Sequence, residues 1–252
     1  MFKSNAFMPF VVLGDPNYEE SIKIIKGLID SGADALELGF AFSDPIADGP
    51  VIQKANNRAL ESGITTAKSF AILEEVRKYS NVPISLMLSY NLVYNYGTEK
   101  FYETCSKLGI DAVLCPDIPL EESEELVGFA RQYNTSQVFL VSPTTTVERM
   151  KQLNEVCSGY VYLVSLLGTT GTREELSKKL PELIKTVKRE MNLPVYVGFG
   201  ISEPRHVKEV LDMGADGAIC GSAICKIIEK NEKSAEEIQK FCKTMTEATL
   251  KM

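Results

Sequence analysis

Gly32-Ala33-Asp34-Ala35-Leu36-Glu37 has two echoes further along the chain, Gly109-Ile110-Asp111-Ala112-Val113-Leu114 and Gly214-Ala215-Asp216-Gly217-Ala218-Ile219. All three share one form. A helical pattern stops on glycine, the residue that most easily takes the left-handed conformation past a helix end. A short polar step follows, and then an apolar run too short for a helix. Such runs suit parallel strands buried on both faces. A helix handing over to a buried strand is the repeating unit of α/β architecture.

Outward from these three points the same alternation fills the chain. Apolar strand patterns lie at 8–13, 35–39, 84–88, 112–115, 137–141, 160–165, 195–198 and 217–220. Helical patterns lie at 18–31, 51–62, 67–79, 99–108, 121–133, 147–157, 174–191 and 203–213, and terminal helices follow Gly221. An open doubly wound sheet would also alternate. Eight even units in 252 residues favour a closed (β/α)8 TIM barrel, which typically takes roughly 250 residues. The expectation is an α/β fold with a single barrel domain over residues 1–252.

Apolar residues make up 44% and charged residues 24%, an ordinary globular balance. The net charge of −7 argues against a polyanion-binding surface, so no nucleic-acid partner is expected. Any phosphate ligand would need a local site of backbone amides and helix ends. Six cysteines without CxxC or zinc-finger spacing read as buried thiols in a reducing cytoplasm. The first ten residues lack a signal-peptide layout, and no apolar run is as long as a membrane span. There is no dinucleotide fingerprint, P-loop or metal-ligand cluster in the sequence, and no metal is expected.

Barrel enzymes work at the C-terminal ends of their strands, and phosphate is often held after strands seven and eight. Gly198-Phe199-Gly200-Ile201-Ser202 follows strand seven here. Gly221-Ser222 follows strand eight and leads straight into a helix. Glycines let backbone N–H groups close on phosphate oxygens, and a helix start favours the anion. The plainer reading is tight turns, with Ser202 and Ser222 as helix caps. A further cluster, Gly168-Thr169-Thr170-Gly171-Thr172-Arg173, follows strand six and reads either as a second contact to the same phosphate that also serves as a lid, or as a simple loop.

Glu37 interrupts an apolar strand, where an unpaired carboxylate is costly to bury. It is a structural ion pair, a solvent-facing strand end, or a catalytic group whose raised pKa lets it act as acid and base. The next loop, 40–50, carries Asp44 before Pro45, which reads as a turn maker, and Asp48 before Gly49-Pro50, which is freer to reach the barrel mouth. Two carboxylates at one site can divide acid and base roles. Asp117 is expected to support the site, Tyr162 to wall the pocket or pack in the core, and His206 to take a surface or capping role.

The run Leu36-Glu37-Leu38-Gly39-Phe40-Ala41-Phe42-Ser43-Asp44-Pro45-Ile46-Ala47-Asp48-Gly49-Pro50 closely resembles the strand-two motif of the tryptophan synthase α subunit family. The resemblance covers almost the whole chain. It includes Leu13-Gly14-Asp15-Pro16, Asn91-Leu92-Val93, Asp117-Ile118-Pro119, Gly168 to Gly171, Gly198 to Ser202, and Gly221-Ser222-Ala223-Ile224. It implies cleavage of indole-3-glycerol phosphate to indole and glyceraldehyde 3-phosphate. It implies Glu37 as the acid–base group and Asp48 as the carboxylate facing the indole N–H. Tyr162 matches a pocket tyrosine, and Thr170 the lid threonine that meets Asp48. Gly171, Gly200, Gly221 and Ser222 match phosphate-binding positions, and Phe199 is counted with the substrate-binding residues. No cofactor is implied in this chain. Pyridoxal phosphate belongs to a β subunit expected to join it in an α2β2 complex.

Ala41, Leu166 and Thr169 depart from the family's pattern. The chain begins close to strand one, so something other than a long N-terminal helix must cover the barrel floor. Two other readings stand beside the lyase: a barrel that chiefly activates a β subunit, and another sugar-phosphate barrel enzyme.

Overall fold

The computed structural model describes residues 2–164, 173–198, 200–230 and 234–250, with backbone only for 173–178. Strands β1 (Ala6–Val12), β2 (Leu36–Gly39), β3 (Ile84–Met87), β4 (Ala112–Leu114), β5 (Ser136–Val141), β6 (Val161–Val164), β7 (Val195–Gly198) and β8 (Gly217–Cys220) pair in chain order, and β8 returns to β1. Every pairing is parallel, so the sheet closes into the expected (β/α)8 barrel. Around it lie α1 (Tyr18–Asp30), α2 (Pro50–Glu61), α3 (Thr66–Tyr79), α4 (Tyr90–Tyr96), α5 (Thr98–Lys107), α6 (Glu124–Gln132), α7 (Val147–Val156), α8 (Arg173–Glu190), α9 (Pro204–Asp212), α10 (Ser222–Lys230) and α11 (Ala235–Glu247).

Polar side chains start several helices where the apolar periodicity begins. Asn17, Thr65 and Thr146 accept hydrogen bonds from the backbone N–H groups of Glu20, Lys68 and Arg149. Gly32, Gly109 and Gly214, the first residues of the three echoes, all have positive φ. Two elements differ from the sequence reading. The stretch 121–133 is not one helix, because a 3-10 turn at Leu120–Glu122 precedes α6. Ser123 stands at that break and donates its hydroxyl to the Leu120 carbonyl at 2.7 Å. Helix α4 was not expected, since seven residues are too few to show a helical period.

Strand side chains alternate between the barrel interior and the helix layer. The register sets Glu37 between Phe10 of β1 and Ser85 of β3, and Tyr162 between Leu140 of β5 and Tyr196 of β7. At the N-terminal end of the barrel, Phe2 packs at a tilt against Tyr160 at 4.7 Å and edge-on against Tyr196 at 6.0 Å between centroids. The Tyr196 hydroxyl donates to the Lys3 carbonyl at 2.8 Å. Phe2 and Lys3 are thus part of the floor cover that the sequence reading required. Gly217 makes room for this layer, because a Cβ there would lie 2.4 Å from the Tyr196 ring.

All six cysteines are buried and free, and burial pushes their thiols up, away from the reactive thiolate. Among the described residues, no helix is long and apolar enough to cross a membrane.

Candidate active site

A cavity of about 1000 Å³ opens at the C-terminal ends of the strands. Glu37 lines it from β2, Tyr162 from β6, and Asp48 from the loop between β2 and α2. Gly200, Gly221 and Ser222 line the same cavity. Six residues singled out in the sequence therefore meet in one cavity. Thr170, Gly171 and Phe199 lie outside the described residues, as do Leu166 and Thr169.

Glu37 is 1% exposed, and among the described residues no cationic side chain pairs with it. The Tyr160 hydroxyl donates to its Oε1 at 3.3 Å. Burial pushes the Glu37 carboxyl up to about 8, the Tyr160 hydrogen bond pulls it down, and the negative charge of Asp48 pushes it up again. Near neutral pH Glu37 is thus mostly a protonated acid that can also accept a proton. Its burial rules out a solvent-facing strand end, and no ion pair holds it among the described residues.

Asp48 is half-buried in a loop pinned from both sides. Its backbone N–H donates to the Pro45 carbonyl at 3.0 Å, and its carbonyl accepts from Gln53 Nε2 at 2.8 Å. Asn56 Nδ2 donates to the carboxylate oxygen Oδ2 at 3.2 Å. Burial raises the carboxyl to about 6, opposed by the Asn56 bond. The two carboxylates therefore differ in charge near pH 7: Asp48 is mostly ionised and Glu37 mostly neutral.

Close packing leaves little freedom in the walls. A Cβ on Gly39 or Gly221 would stand 2.9 Å from the Phe10 ring, and one on Gly198 would stand 2.1 Å from the Tyr162 hydroxyl. Phe10 and Tyr162 thus occupy space that only glycine leaves free. At the Gly/Ser end, Gly200 has φ +78, and helix α10 begins at Ser222 directly after Gly221. The first N–H groups of a helix have no acceptor within it, so they are available to an anion.

His206 is only 6% exposed, so it is not a surface residue. Its Nδ1 accepts from the Ser202 backbone N–H at 3.2 Å and lies 3.4 Å from the Ser202 hydroxyl. It thereby caps the turn after β7, the capping half of the expectation. Glu203 holds the N-cap position of α9, which rules out Ser202 as that cap. Asp117 accepts from the Ser89 hydroxyl at 2.5 Å and the Tyr90 N–H at 2.9 Å, so it orders the start of α4 at the barrel mouth. Asp44 contributes its carbonyl to the turn, accepting from the Ile46 N–H at 3.0 Å.

Three site residues were missed in the sequence. Tyr160 lies two positions before Tyr162, and the Tyr-x-Tyr spacing turns both rings inward. Ser85, which shares a 2.9 Å hydrogen bond with Tyr160, is a polar break in an apolar strand, as Glu37 is. Asn56 is a polar residue on an inward helix face, a weak signal by itself. Among the described residues, no group of three or more His, Cys, Asp or Glu is arranged to hold a metal ion.

A family model described as tryptophan synthase alpha chain matches residues 2–251. The tryptophan synthase alpha chain of Methanothermobacter thermautotrophicus is 50% identical to this chain, over 90% of this chain and 84% of that protein. That of Histophilus somni is 47% identical over 98% of this chain and 94% of its own length. The solved A-subunit of tryptophan synthase from Pyrococcus furiosus superposes with a TM-score of 0.90 at 38% identity, covering 97% of this chain and 99% of that one. A solved tryptophan synthase complex from the same organism also matches, with a TM-score of 0.90 at 37% identity and the same coverage. On sequence, fold and site together, the chain belongs to the tryptophan synthase α chain family.

Proposed function

We propose that this protein is a carbon–carbon lyase that cleaves indole-3-glycerol phosphate to indole and glyceraldehyde 3-phosphate in tryptophan biosynthesis. One observation carries the reading: Glu37, its carboxyl pushed up to about 8, and Asp48, pushed up to about 6, line one cavity together with Gly200, Gly221 and Ser222. The phosphate binds at the turns of these last three residues, and the family resemblance assigns Gly171 and Phe199 to phosphate and substrate binding as well. Tyr162 walls the indole pocket, and Thr170 is assigned to substrate binding by the family resemblance alone.

Protonated Glu37 gives its proton to indole C3. The resulting cation is stabilised by Asp48, which accepts from the ring N–H. The carboxylate left on Glu37 then takes the proton of the glycerol hydroxyl next to the ring. As that O–H becomes a carbonyl, the C–C bond breaks and its electron pair restores the indole. Glu37 finishes protonated, so one residue serves both steps and the proton count closes. The protein acts in the cytoplasm, and the reaction uses no cofactor bound to this chain.

One solved relative from P. furiosus is an α2β2 tryptophan synthase complex. By that likeness, this chain pairs with a β subunit in the same way, and the β subunit carries the pyridoxal phosphate that serves the next reaction. The test is indole release from indole-3-glycerol phosphate, measured with and without a β subunit. Release that is lost in Glu37→Gln and Asp48→Asn is expected. A folded wild-type protein that releases no indole under either condition would sink the reading.

A further inference from the structure

Asn56 lies on α2 and is only 3% exposed, so each of its polar atoms needs a partner. Its Oδ1 accepts the Phe42 backbone N–H at 2.9 Å. Its Nδ2 donates to the Ile52 carbonyl at 2.9 Å and to Asp48 Oδ2 at 3.2 Å. The first bond fixes the amide orientation. Flipping it would set an NH2 against the Phe42 N–H and a carbonyl against the Asp48 carboxylate. The donor aimed at Asp48 is therefore imposed by the backbone.

This one side chain ties the start of the 40–50 loop, its catalytic end and the following helix. The helix is itself anchored. Arg58, two residues on, grips Asp15 after β1 with two bonds of 2.8 Å and reaches the Cys225 carbonyl of α10 at 3.5 Å. Asn56 thus transmits the position of a fixed scaffold to a carboxylate on a loop. We propose that Asn56 is the positioning residue that aims the Asp48 carboxylate into the cavity.

The proposal deepens the lyase reading and rests on it only for its kinetic half. Among the described residues, the titratable groups that act on Asp48 are Glu37 from β2, Tyr162 from β6 and Cys225 from α10, with Lys226 of α10 lining the same cavity. None of the first three favours a negative charge on Asp48. The Asn56 hydrogen bond is the contact that pulls its carboxyl down.

Two variants separate aiming from simple loop support. Asn56→Ala removes every bond. Asn56→Asp keeps an acceptor for the Phe42 N–H but turns a carboxylate towards Asp48. The first measurement is a carbon-13 NMR titration of the Asp48 carboxyl in the full-length protein, which needs no turnover. The midpoint, about 6 in the native protein, is expected to rise by about half a unit or more in Asn56→Ala and by more in Asn56→Asp. The second is indole release at pH 6 and pH 8. Both variants are expected to lose about tenfold or more in kcat at pH 6, and less relative to wild type at pH 8, with KM changed less than kcat.

An Asp48 midpoint that stays in place in a folded Asn56→Asp protein would overturn the proposal, as would unchanged kcat at both pH values. If Asn56→Ala does not fold, Asn56→Asp carries both measurements. If wild type releases no indole, the lyase reading fails by itself, and the NMR titration still decides whether Asn56 holds Asp48.

Discussion

The Tyr160 hydroxyl lies 3.3 Å from Glu37 Oε1 and 2.9 Å from Ser85 Oγ, within the barrel and nearer its floor than Tyr162. Tyr160 has one proton to give. When Glu37 is ionised, Ser85 donates to Tyr160 and Tyr160 donates to Glu37, so the three groups form a chain of one polarity. When Glu37 is protonated, it can donate in turn to Tyr160. A network that accepts either direction suits a carboxyl that must lose and regain a proton in each turnover.

Tyr160→Phe removes the bond that favours the Glu37 carboxylate. Its carboxyl should then rise further above about 8. In wild type, kcat/KM is expected to be bell-shaped, rising as Asp48 ionises near 6 and falling as Glu37 loses its proton near 8. In Tyr160→Phe the alkaline limb should move up while the acid limb stays. A pH–rate series on both proteins checks this, and an unmoved alkaline limb would refute it.

Glu37→Gln should lose about a hundredfold or more in kcat, the ordinary worth of a positioned acid–base group. It should also stabilise the protein at high pH. The folded carboxyl is raised from 4.5 to about 8, so the unfolded chain releases the proton first as pH rises. Wild type therefore loses stability across that window by about 1.4 kcal/mol per pH unit at most. Glutamine has no such slope. Urea unfolding at pH 5 and pH 8 should show a gain that grows with pH.

Arg58→Met should be among the costliest single changes outside the cavity. Asp15 is buried, and burial already raises its carboxyl despite the paired guanidinium. Removing the arginine strands a buried charge, at a cost of roughly 3 kcal/mol or more near pH 7. Without its partner the Asp15 carboxyl rises further, so the penalty builds as pH climbs through the ordinary aspartate range. Unfolding midpoints should thus differ less between variant and wild type at pH 4 than at pH 7.

Phe2→Ala opens the floor beneath Tyr160 and Tyr196. The lost ring contacts and buried area should cost about 2 kcal/mol. Since barrel chemistry sits at the opposite end, kcat/KM should stay within about twofold of wild type. Thermal unfolding and steady-state kinetics on one preparation separate the two effects.

Much of this protein could be read from local pattern. The glycine-ended echoes, eight short apolar runs and amphipathic helices between them specify a parallel barrel, because each unit buries its strand only by pairing with the next. Glu37 declared itself as a carboxylate in an apolar strand, and Gly200, Gly221 and Ser222 followed from their place after strands seven and eight. Helix α4 escaped because seven residues show no period, and the break at Ser123 escaped because a 3-10 turn shares the helical pattern. What the chain order left open was decided by closure of the barrel. Closure sets Tyr160 against a glutamate 123 residues away and makes the Glu37 carboxyl an acid by enclosing it. It also brings the Arg58 of α2 onto Asp15 after β1, which fixes the helix from which Asn56 holds Asp48. Sequence determined which groups are present. Their charges and aim come from desolvation and from hydrogen bonds between distant segments, which exist only once the strands have closed.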